Sequence, residues 1–243
     1  MSSNKLKLNE DKTELLIILL CRQTHKCNIE SLSIGGCEIK SSGTVRNLGV
    51  IFDNTMLLKS QINNVVKNCH FHLREIGKIR TYLSTEAASS LIHAFISSRL
   101  DYGNSLLCGM PDTDLNKLQK VQNTAARILT KTKKYDHISP VLQELHWLKV
   151  KQRIEYKICS LTYKCLNDLA PSYLAELIHP SRNSNLRSGN QYMLEVPRAR
   201  PFYGERAFQY AAPSLWNNLP ISVKSATSLE SFKTKLKTHL FSV

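Results

Sequence analysis

The sequence has no long apolar run. Its longest stretch of apolar residues is seven residues, from Leu15 to Cys21, whereas a helix that crosses a bilayer needs about 20. Glu14 precedes the run, Arg22 follows it, and no small-residue cleavage pattern accompanies it, so it does not have the form of a signal peptide. We therefore expect no membrane segment and no membrane partner, and we predict that this run is a buried β-strand.

Motifs typical of several catalytic classes are also missing. No two aspartates are adjacent, and two-metal polymerases and nucleases need carboxylates that converge on ions about 4 Å apart. The sequence has neither a Gly-x-Ser-x-Gly nucleophile motif nor a Gly-x-x-x-x-Gly-Lys phosphate-binding loop. We therefore predict no catalytic residues and no cofactor for this chain.

Cysteine is present, but its spacing does not favour a metal site. The seven cysteines are odd in number, and none forms the Cys-x2-Cys pair of a zinc knuckle. Two loose groups are the nearest approach to a zinc site: Cys21, His25, Cys27 and Cys37; and Cys69, His70 and His72. We expect buried thiols and surface imidazoles instead, in the reducing environment of the nucleus or cytoplasm.

Negative charge is scarce, and the positive excess is local. The chain has 33 Lys and Arg against 19 Asp and Glu, a net +14. Between Lys117 and Lys164, eleven basic residues oppose three acidic ones, which gives a net +8 in 48 residues. Such a field attracts phosphates without reading a base sequence, so it favours a polyanionic partner. An ordinary basic protein, or a fragment separated from an acidic portion, is the alternative.

Hydrophobic periodicity predicts a small β part at the N-terminus. Short apolar runs predict strands over 13–20 and 45–52. Between them, two short arms flank Gly35-Gly36, a pair that suits the positive φ angles of a tight hairpin turn. These strands are expected to pair in a small antiparallel sheet.

The remainder of the chain is predicted to be helical. An apolar stripe indicates a long helix from Leu58 to Arg80, and Ser84 is placed to cap a second helix that should pack against the first. A third helix opens at Pro111, and two more are predicted over 139–147 and 150–165. The fold class predicted is α+β, mostly α, with a helical array after the β portion.

The C-terminal part combines irregular and helical stretches. Residues 179–204 have no clear period and are predicted to form an extended connector. A helix over 205–216 is expected to be interrupted at Pro213. Thr227 and Glu230 have the spacing of a capping box, which predicts the start of a final helix there.

Aromatic residues are interleaved with the basic ones. Tyr135, Trp147, Tyr156 and Tyr163 lie among lysines and arginines, a composition that suits phosphate neutralisation combined with base stacking. The alternative is that these aromatics belong to the core and the lysines form a solvated face. The candidate nucleic-acid-binding residues in this region are Lys117, Lys120, Arg127, Lys131, Lys133, Lys134, Lys149, Lys151 and Arg153.

Several motifs, in a fixed order, span nearly the whole chain. They are Asn4-Lys5-Leu6-Lys7-Leu8-Asn9 with Lys12-Thr13-Glu14, Val45-Arg46-Asn47-Leu48-Gly49-Val50-x-Phe52-Asp53, Ser98-Arg99-Leu100-Asp101-Tyr102-Gly103-Asn104, Leu118-Gln119-x-Val121-Gln122-Asn123, Leu145-His146-Trp147-Leu148-x-Val150, Ala212-Pro213-x-Leu215-Trp216-Asn217, and Phe232-Lys233-x-x-Leu236-Lys237. In this order they resemble the reverse transcriptases of non-LTR (LINE-type, jockey-like) retrotransposons, from the end of the palm through the thumb to the C-terminal region.

The resemblance implies an RNA-directed DNA polymerase whose fingers and catalytic palm lie upstream of Met1. Residues 1–55 would be a palm remnant, 56–131 a thumb-like helical region, and 132–243 a basic C-terminal region containing the connector. Lys12 matches a lysine near the incoming triphosphate. Leu48, Gly49 and Val50 match the primer-grip turn, where glycine allows the backbone to approach the primer end closely.

The family's Tyr-x-Asp-Asp motif, which binds Mg²⁺ in the parent polymerase, has no counterpart in this sequence. We therefore expect a fragment that is inactive alone and retains a surface for RNA or an RNA-DNA duplex. A separate reverse transcriptase palm is a further partner implied by the resemblance. The alternative is a non-enzymatic helical interaction module or a non-functional remnant, in which the apolar stripes of the first and last helices are exposed by the missing palm.

Overall fold

The computed structural model describes residues 9, 12–18, 30–34, 36–181, 192–200 and 203–242. The chain separates into two compact units, residues 1–67 and 68–243, and the division falls within the first long helix. In the described residues, the first unit contains short strands and the second is helical. The predicted class, α+β and mostly α with a small antiparallel β portion at the N-terminus, is therefore confirmed.

Two antiparallel hairpins form the β part of the first unit. Strand β1 (Ser31–Ile34) pairs with β2 (Cys37–Lys40), and Gly36 in the turn between them has φ +92°. This is the predicted hairpin. Strands β3 (Thr44–Asn47) and β4 (Val50–Asp53) form the second hairpin, separate from the first.

The second hairpin corrects the prediction of one continuous strand over 45–52. Leu48 and Gly49 have φ angles of +47° and +83°, and positive φ at both central positions is the geometry of a two-residue hairpin turn. The chain therefore reverses where a single strand was expected. Strand periodicity misses this reversal because β-favouring residues lie on both sides of the turn, whereas the matched primer-grip motif places a turn at Leu48, Gly49 and Val50.

The strand predicted over 13–20 is wrong for the residues that the structure describes there. Within 12–18 the only ladder contact is an isolated bridge between Leu15 and Ser41. Leu15 to Ile17 are half-buried and Ile18 is exposed. A strand needs a partner along its length, and β1 to β4 pair in twos instead. Residues 19–20 lie outside the described ranges.

Asp53 joins the second hairpin to helix α1 (Lys59–Ile79). Its Oδ1 accepts hydrogen bonds from the amides of Thr55 and Leu57 at 3.2 and 2.9 Å, and its Oδ2 accepts from the amide of Lys59 at 3.1 Å. Gln61 in the first turn of α1 accepts from the amide of Ile51 at 3.0 Å. The amide of Lys59 is one that a helix start leaves unpaired, so the last residue of β4 caps the start of α1.

The second unit is an array of helices of unequal length. After α1 they are α2 (Thr85–Ile92), α3 (Ser98–Asp101), α4 (Asp112–Thr130), α5 (Ile138–Glu144), α6 (Val150–Leu166), α7 (Ser172–Ala175), α8 (Phe208–Asn217), α9 (Ile221–Lys224) and α10 (Leu229–Ser242). A π-helical segment, His93–Ser97, joins α2 to α3. None of the described helices has the length and apolar character that a membrane crossing requires.

The second helix begins as predicted. Ser84 Oγ accepts a hydrogen bond from the amide of Ala87 at 3.1 Å, which is the geometry of an N-cap. The first helix contacts the segment that continues the second, since the His72 ring of α1 stacks on Phe95 of the π-helical segment with 4.8 Å between ring centroids. Beyond α3, Gly103 adopts the left-handed conformation, with φ +63°.

An aromatic stack holds the C-terminal helices against α6. Phe232 of α10 is fully buried and stacks on Tyr163 at 4.4 Å and on Trp216 at 5.6 Å between ring centroids. Asn217 anchors the preceding chain by accepting from the amide of Leu194 and donating to its carbonyl, at 2.9 and 2.8 Å. The three rings come from separate helices, so this stack is a tertiary feature of the core.

Two local predictions for the C-terminal part are wrong. Helix α8 continues through Pro213, which is buried. The final helix is capped one residue later than predicted, because Ser228 Oγ, rather than Thr227, accepts from the amide of Ser231 at 3.2 Å. The connector over 179–204 is irregular where it is described, apart from a bridge between Pro180 and Leu194.

The two apolar stripes expected to be exposed by a missing palm are buried. In α1 the buried members of the stripe include Ile62, Cys69 and Leu73, and in α10 they include Leu236 and Leu240. The chain itself therefore covers these surfaces, which corrects that part of the alternative hypothesis.

Candidate nucleic-acid interface

One face of α4 carries a row of basic residues. Lys117, Lys120 and Arg127 are separated by three and seven residues, which places them on the same side of a helix with 3.6 residues per turn. Lys131 follows as the C-cap residue, with φ +58°. The opposite side of α4 is buried through Leu118, Val121, Ala125 and Leu129 among others. The helix must therefore present its basic row to solvent.

The members of this row differ in what their side chains contact. Lys117 Nζ pairs with Oδ1 of the buried Asp114 at 2.8 Å. Lys120 and Lys131 are exposed and form no ion pair within the part of the chain that the structure describes. These two ammonium groups are therefore available to an external anion without breaking an internal pair.

Arg127 positions the loop that follows α4. It donates from Nη2 to the carbonyl of Asp136 at 3.0 Å and from Nε to the carbonyl of Lys133 at 3.4 Å. The Asp136 carboxylate in turn accepts from the amide of Lys133 at 3.1 Å. The loop is thus folded on itself, and the half-buried Arg127 holds it in place.

This loop presents two lysines and an aromatic ring. Lys133 and Lys134 are exposed, and Tyr135 is 90% exposed. Lys134 Nζ lies 5.9 Å from the centroid of the Tyr135 ring. A free ring beside ammonium groups is the combination that stacks on a base and neutralises the neighbouring phosphate.

Two of the other aromatics of the basic region, Trp147 and Tyr163, are not available for stacking. Tyr163 is in the aromatic stack described above and donates from its hydroxyl to the carbonyl of Ala226 at 3.0 Å. Trp147 is buried and meets the His93 ring edge-on at 5.7 Å. Tyr156 is half-buried. The two alternatives from composition therefore both apply: Tyr135 is a surface residue, and Trp147 and Tyr163 are core residues.

The basic residues at the start of α6 differ in their surroundings. Arg153 forms a two-point ion pair with Asp101, with Nε 2.8 Å from Oδ1 and Nη2 bonded to Oδ2. Its side chain is only 21% exposed. Lys151 Nζ lies 3.9 Å from Asp112 Oδ1 in an exposed pair, while Lys149 precedes the helix at its N-cap. Arg153 is therefore engaged within the fold, whereas Lys149 and Lys151 are exposed.

Two amides on α4, Gln119 and Gln122, which sequence reasoning did not single out as functional, dock α6 onto α4. Gln122 donates to the carbonyl of Leu148 at 2.8 Å, and Gln119 accepts from the amide of Val150 at 2.8 Å. Gln119 also donates to Asn123 at 2.8 Å. The sequence carries an indication of this contact. Gln122 falls between buried apolar positions of the helix, where a polar side chain needs a specific hydrogen-bond partner.

The remaining candidates lie in the first unit. Leu48 is 84% exposed at the hairpin turn, Gly49 completes the turn, and Val50 is buried at the start of β4. Lys12 is exposed, and its amide donates to the carbonyl of Asn9 at 3.3 Å. The predicted primer-grip residues thus form a real hairpin turn, while their contact with a primer remains a prediction.

The cysteines have no metal-binding arrangement in the described ranges, where no group of three His, Cys, Asp or Glu residues converges. Burial raises the pKa of Cys69 to about 11 and that of Cys159 to about 12. Such thiols stay protonated near neutral pH and are poor ligands and poor nucleophiles.

Comparison with known proteins adds no relative. No family model, no curated protein and no solved structure matches the chain. The resemblance to non-LTR retrotransposon reverse transcriptases therefore remains a prediction from the ordered motifs. In the structure those motifs provide packing contacts, such as Gln122 to Leu148 and Trp216 to Phe232.

Proposed function

We propose that this chain is the C-terminal portion of a non-LTR retrotransposon reverse transcriptase and that it binds RNA or an RNA-DNA duplex through the basic surface of the second unit. We define this surface by the outer face of α4 and the loop after it, with Lys120, Lys131, Lys133, Lys134 and Tyr135 as its exposed members. The observation that carries the binding proposal is the availability of these lysines beside an exposed ring.

The dimensions of the surface suit a phosphate backbone. At about 1.5 Å per residue, the face of α4 from Lys117 to Lys131 extends about 20 Å, and the loop lengthens it. Each phosphate that a lysine neutralises releases a counterion, so binding should weaken as salt rises. Lys149 and Lys151 at the start of α6 would add to this surface, whereas Arg153 would act by holding α6 in place.

A salt series tests the proposal. Binding of the full chain to an RNA-DNA duplex should weaken steadily with salt. Replacement of Lys120, Lys131 and Lys134 by Gln should reduce the slope of log K against log salt by about 0.9 for each phosphate that is no longer neutralised. A matched triple replacement of Lys164, Lys233 and Lys235 should leave the slope unchanged. Binding that is absent, salt-independent or equally reduced by both triples would contradict the proposal.

Polymerisation is not part of this proposal for the isolated chain. We expect no nucleotide incorporation with Mg²⁺, because the sequence lacks the adjacent aspartates of the parent palm. A separate palm acting in trans is the partner that the proposal implies for polymerisation. Incorporation that appears only when such a palm is added would support this partnership, and incorporation by the clean chain alone would refute the fragment hypothesis.

A second candidate is a non-enzymatic helical interaction module. The burial of both apolar stripes favours it, since the second unit has its own core of helices and stacked rings. If the chain is such a module, light scattering should show a monodisperse species. If it exposes an apolar surface that a palm would normally cover, it should aggregate. A monodisperse chain that fails to bind any nucleic acid would favour this candidate over the first.

A further inference from the structure

A cleft in the second unit is lined by none of the residues that define the basic surface of α4. It has a volume of about 350 Å³ and is lined by the turn after α3, the 146–148 corner, α6 and α10. Pockets that hold small ligands have volumes of roughly 300–1,000 Å³. The cleft therefore has the size of a small-molecule site.

The lining carries more positive than negative charge. Arg153, Lys157 and Lys237 contribute three cations, and Asp101 contributes the only carboxylate among the described residues of the lining. Since Arg153 is paired with Asp101, the two lysines are left with uncompensated charge. Both are exposed, on different helices, and neither forms an ion pair in the described part of the chain. Two lysines that line one cleft from separate helices favour an anionic group such as phosphate.

Asn104 provides a neutral polar group at the same cleft. The residue is 4% exposed, and its Oδ1 accepts no hydrogen bond from the residues that the structure describes. Its Nδ2 has only a long contact, 3.5 Å, with Asp101. Buried amide oxygens are nearly always paired, so a missing donor at this position is unusual. A ligand N-H that reaches Asn104 after a small side-chain rotation would supply it.

Leu148 and Tyr156 add apolar surface between these polar groups. We infer that the cleft binds a nucleoside monophosphate, with the phosphate on Lys157 and Lys237, the base against Leu148 and Tyr156, and a base N-H donated to Asn104. The inference extends beyond the proposed function, because it assigns a site for a single nucleotide at residues that the α4 surface does not include. The nucleotide is either free or the 5′-phosphorylated end of a strand.

Calorimetric titration of the full chain tests the site. A nucleoside monophosphate should bind saturably, and ribose 5-phosphate should bind about tenfold more weakly because it lacks the base. Equal binding of the two compounds, or no saturable binding of the nucleotide at millimolar concentration, would overturn the inference. If a 5′-phosphorylated trinucleotide binds more tightly than the mononucleotide, the ligand of the cleft is the end of a strand. If the mononucleotide binds more tightly, the ligand is the free nucleotide.

Variants separate this site from the α4 surface. Lys157→Gln and Lys237→Gln should each weaken nucleotide binding about tenfold, whereas Lys235→Gln on the same helix as Lys237 should have no effect. Asn104→Ser, which replaces the amide with a shorter side chain, should weaken binding of the nucleotide but not binding of ribose 5-phosphate. The Lys120, Lys131 and Lys134 triple should bind the nucleotide normally. Loss of nucleotide binding in that triple, or normal binding in both single lysine variants, would refute the site.

Discussion

The guanidinium of Arg80 donates from Nη2 to the main-chain carbonyl of Leu129 at 2.7 Å. Its Nε donates to the carbonyl of Ile128 at 2.9 Å, and its Nη1 donates to the carbonyl of Leu83 at 2.9 Å. The last carbonyls of a helix have no partner within the helix, and a cation there also interacts favourably with the helix dipole. Arg80, just after α1, thereby fixes the end of α4 from which the basic loop departs.

Arg80→Ala should lower the free energy of unfolding of the second unit by about 2–4 kcal/mol, because it leaves buried carbonyls unpaired and opens a cavity. Tryptophan fluorescence in a denaturant series reports on this unit, since Trp147 and Trp216 both lie in it. Arg80→Lys should recover only part of the loss, since an ammonium cannot reproduce the planar guanidinium geometry. The exposed Arg74→Ala in the helix before it is the control, and an equal loss there would contradict this role.

Arg127→Ala should loosen the loop over 131–136 without unfolding α4. The substitution removes the donors to the carbonyls of Lys133 and Asp136, so amide hydrogen exchange in the loop should accelerate roughly tenfold. If the loop contributes to binding, the affinity for an RNA-DNA duplex should also fall, because the lysines of a mobile loop lose conformational entropy when they become ordered on binding. Unchanged exchange in this variant would show that Arg127 does not position the loop.

Asp53→Ala should destabilise the start of α1. The carboxylate accepts from the amides of Thr55, Leu57 and Lys59, and loss of a helix-capping side chain costs about 0.5–2 kcal/mol. Hydrogen exchange at these amides is the measurement, and protection there should fall about tenfold. Asp53→Asn, which keeps one acceptor, should show a smaller effect. Equal protection in both variants would contradict the capping role.

Stability should decline in alkaline solution because of the Cys69 thiol. Burial raises the pKa of Cys69 from an ordinary value of 9.0 to about 11, with Arg99 acting weakly in the opposite sense. Between pH 9 and 11 the unfolded thiol ionises while the folded one stays protonated, so the stabilising contribution is present below pH 9 and is lost across this window. Cys69→Ala should be less stable overall but should show a shallower decline over the same range.

Thiol accessibility provides an independent check on burial. Iodoacetamide at neutral pH should modify the exposed Cys37 much faster than the buried Cys69 and Cys159. Peptide mapping by mass spectrometry resolves the three sites. Modification of Cys159 at a rate similar to that of Cys37 in the native protein would contradict the packing of α6.

Much of the helical architecture was predictable because its information is local. The apolar stripe of α1, the cap at Ser84 and the inward face of α4 follow from helical periodicity and from the chemistry of one residue at each helix start. Local sequence information failed at Leu48 and Gly49, because the apolar run predicted a continuous strand; only the resemblance to the primer-grip turn indicated a reversal there. It also failed at Pro213, where the helix continues despite a residue that removes a helical donor.

For the candidate surface too, some features were predictable from the sequence and others depended on tertiary packing. Composition predicted a basic region with aromatic neighbours, but only packing against other helices determined that Tyr135 is exposed and that Tyr163 is buried. In the same way, Arg153 and Lys120 are both basic residues in the sequence, while the fold gives Arg153 the partner Asp101 and leaves Lys120 exposed. The type of a residue does not determine which residue its side chain will contact in the folded protein.

The sequence by itself determined the helical class of this protein, the local excess of positive charge and the absence of paired aspartates, because these properties depend on composition and short-range spacing. Only the tertiary structure decided which cations are paired, which rings are exposed, and that Lys157 and Lys237 line one cleft with Asn104. These residues are far apart in the chain, and long-range contacts between helices alone bring them together.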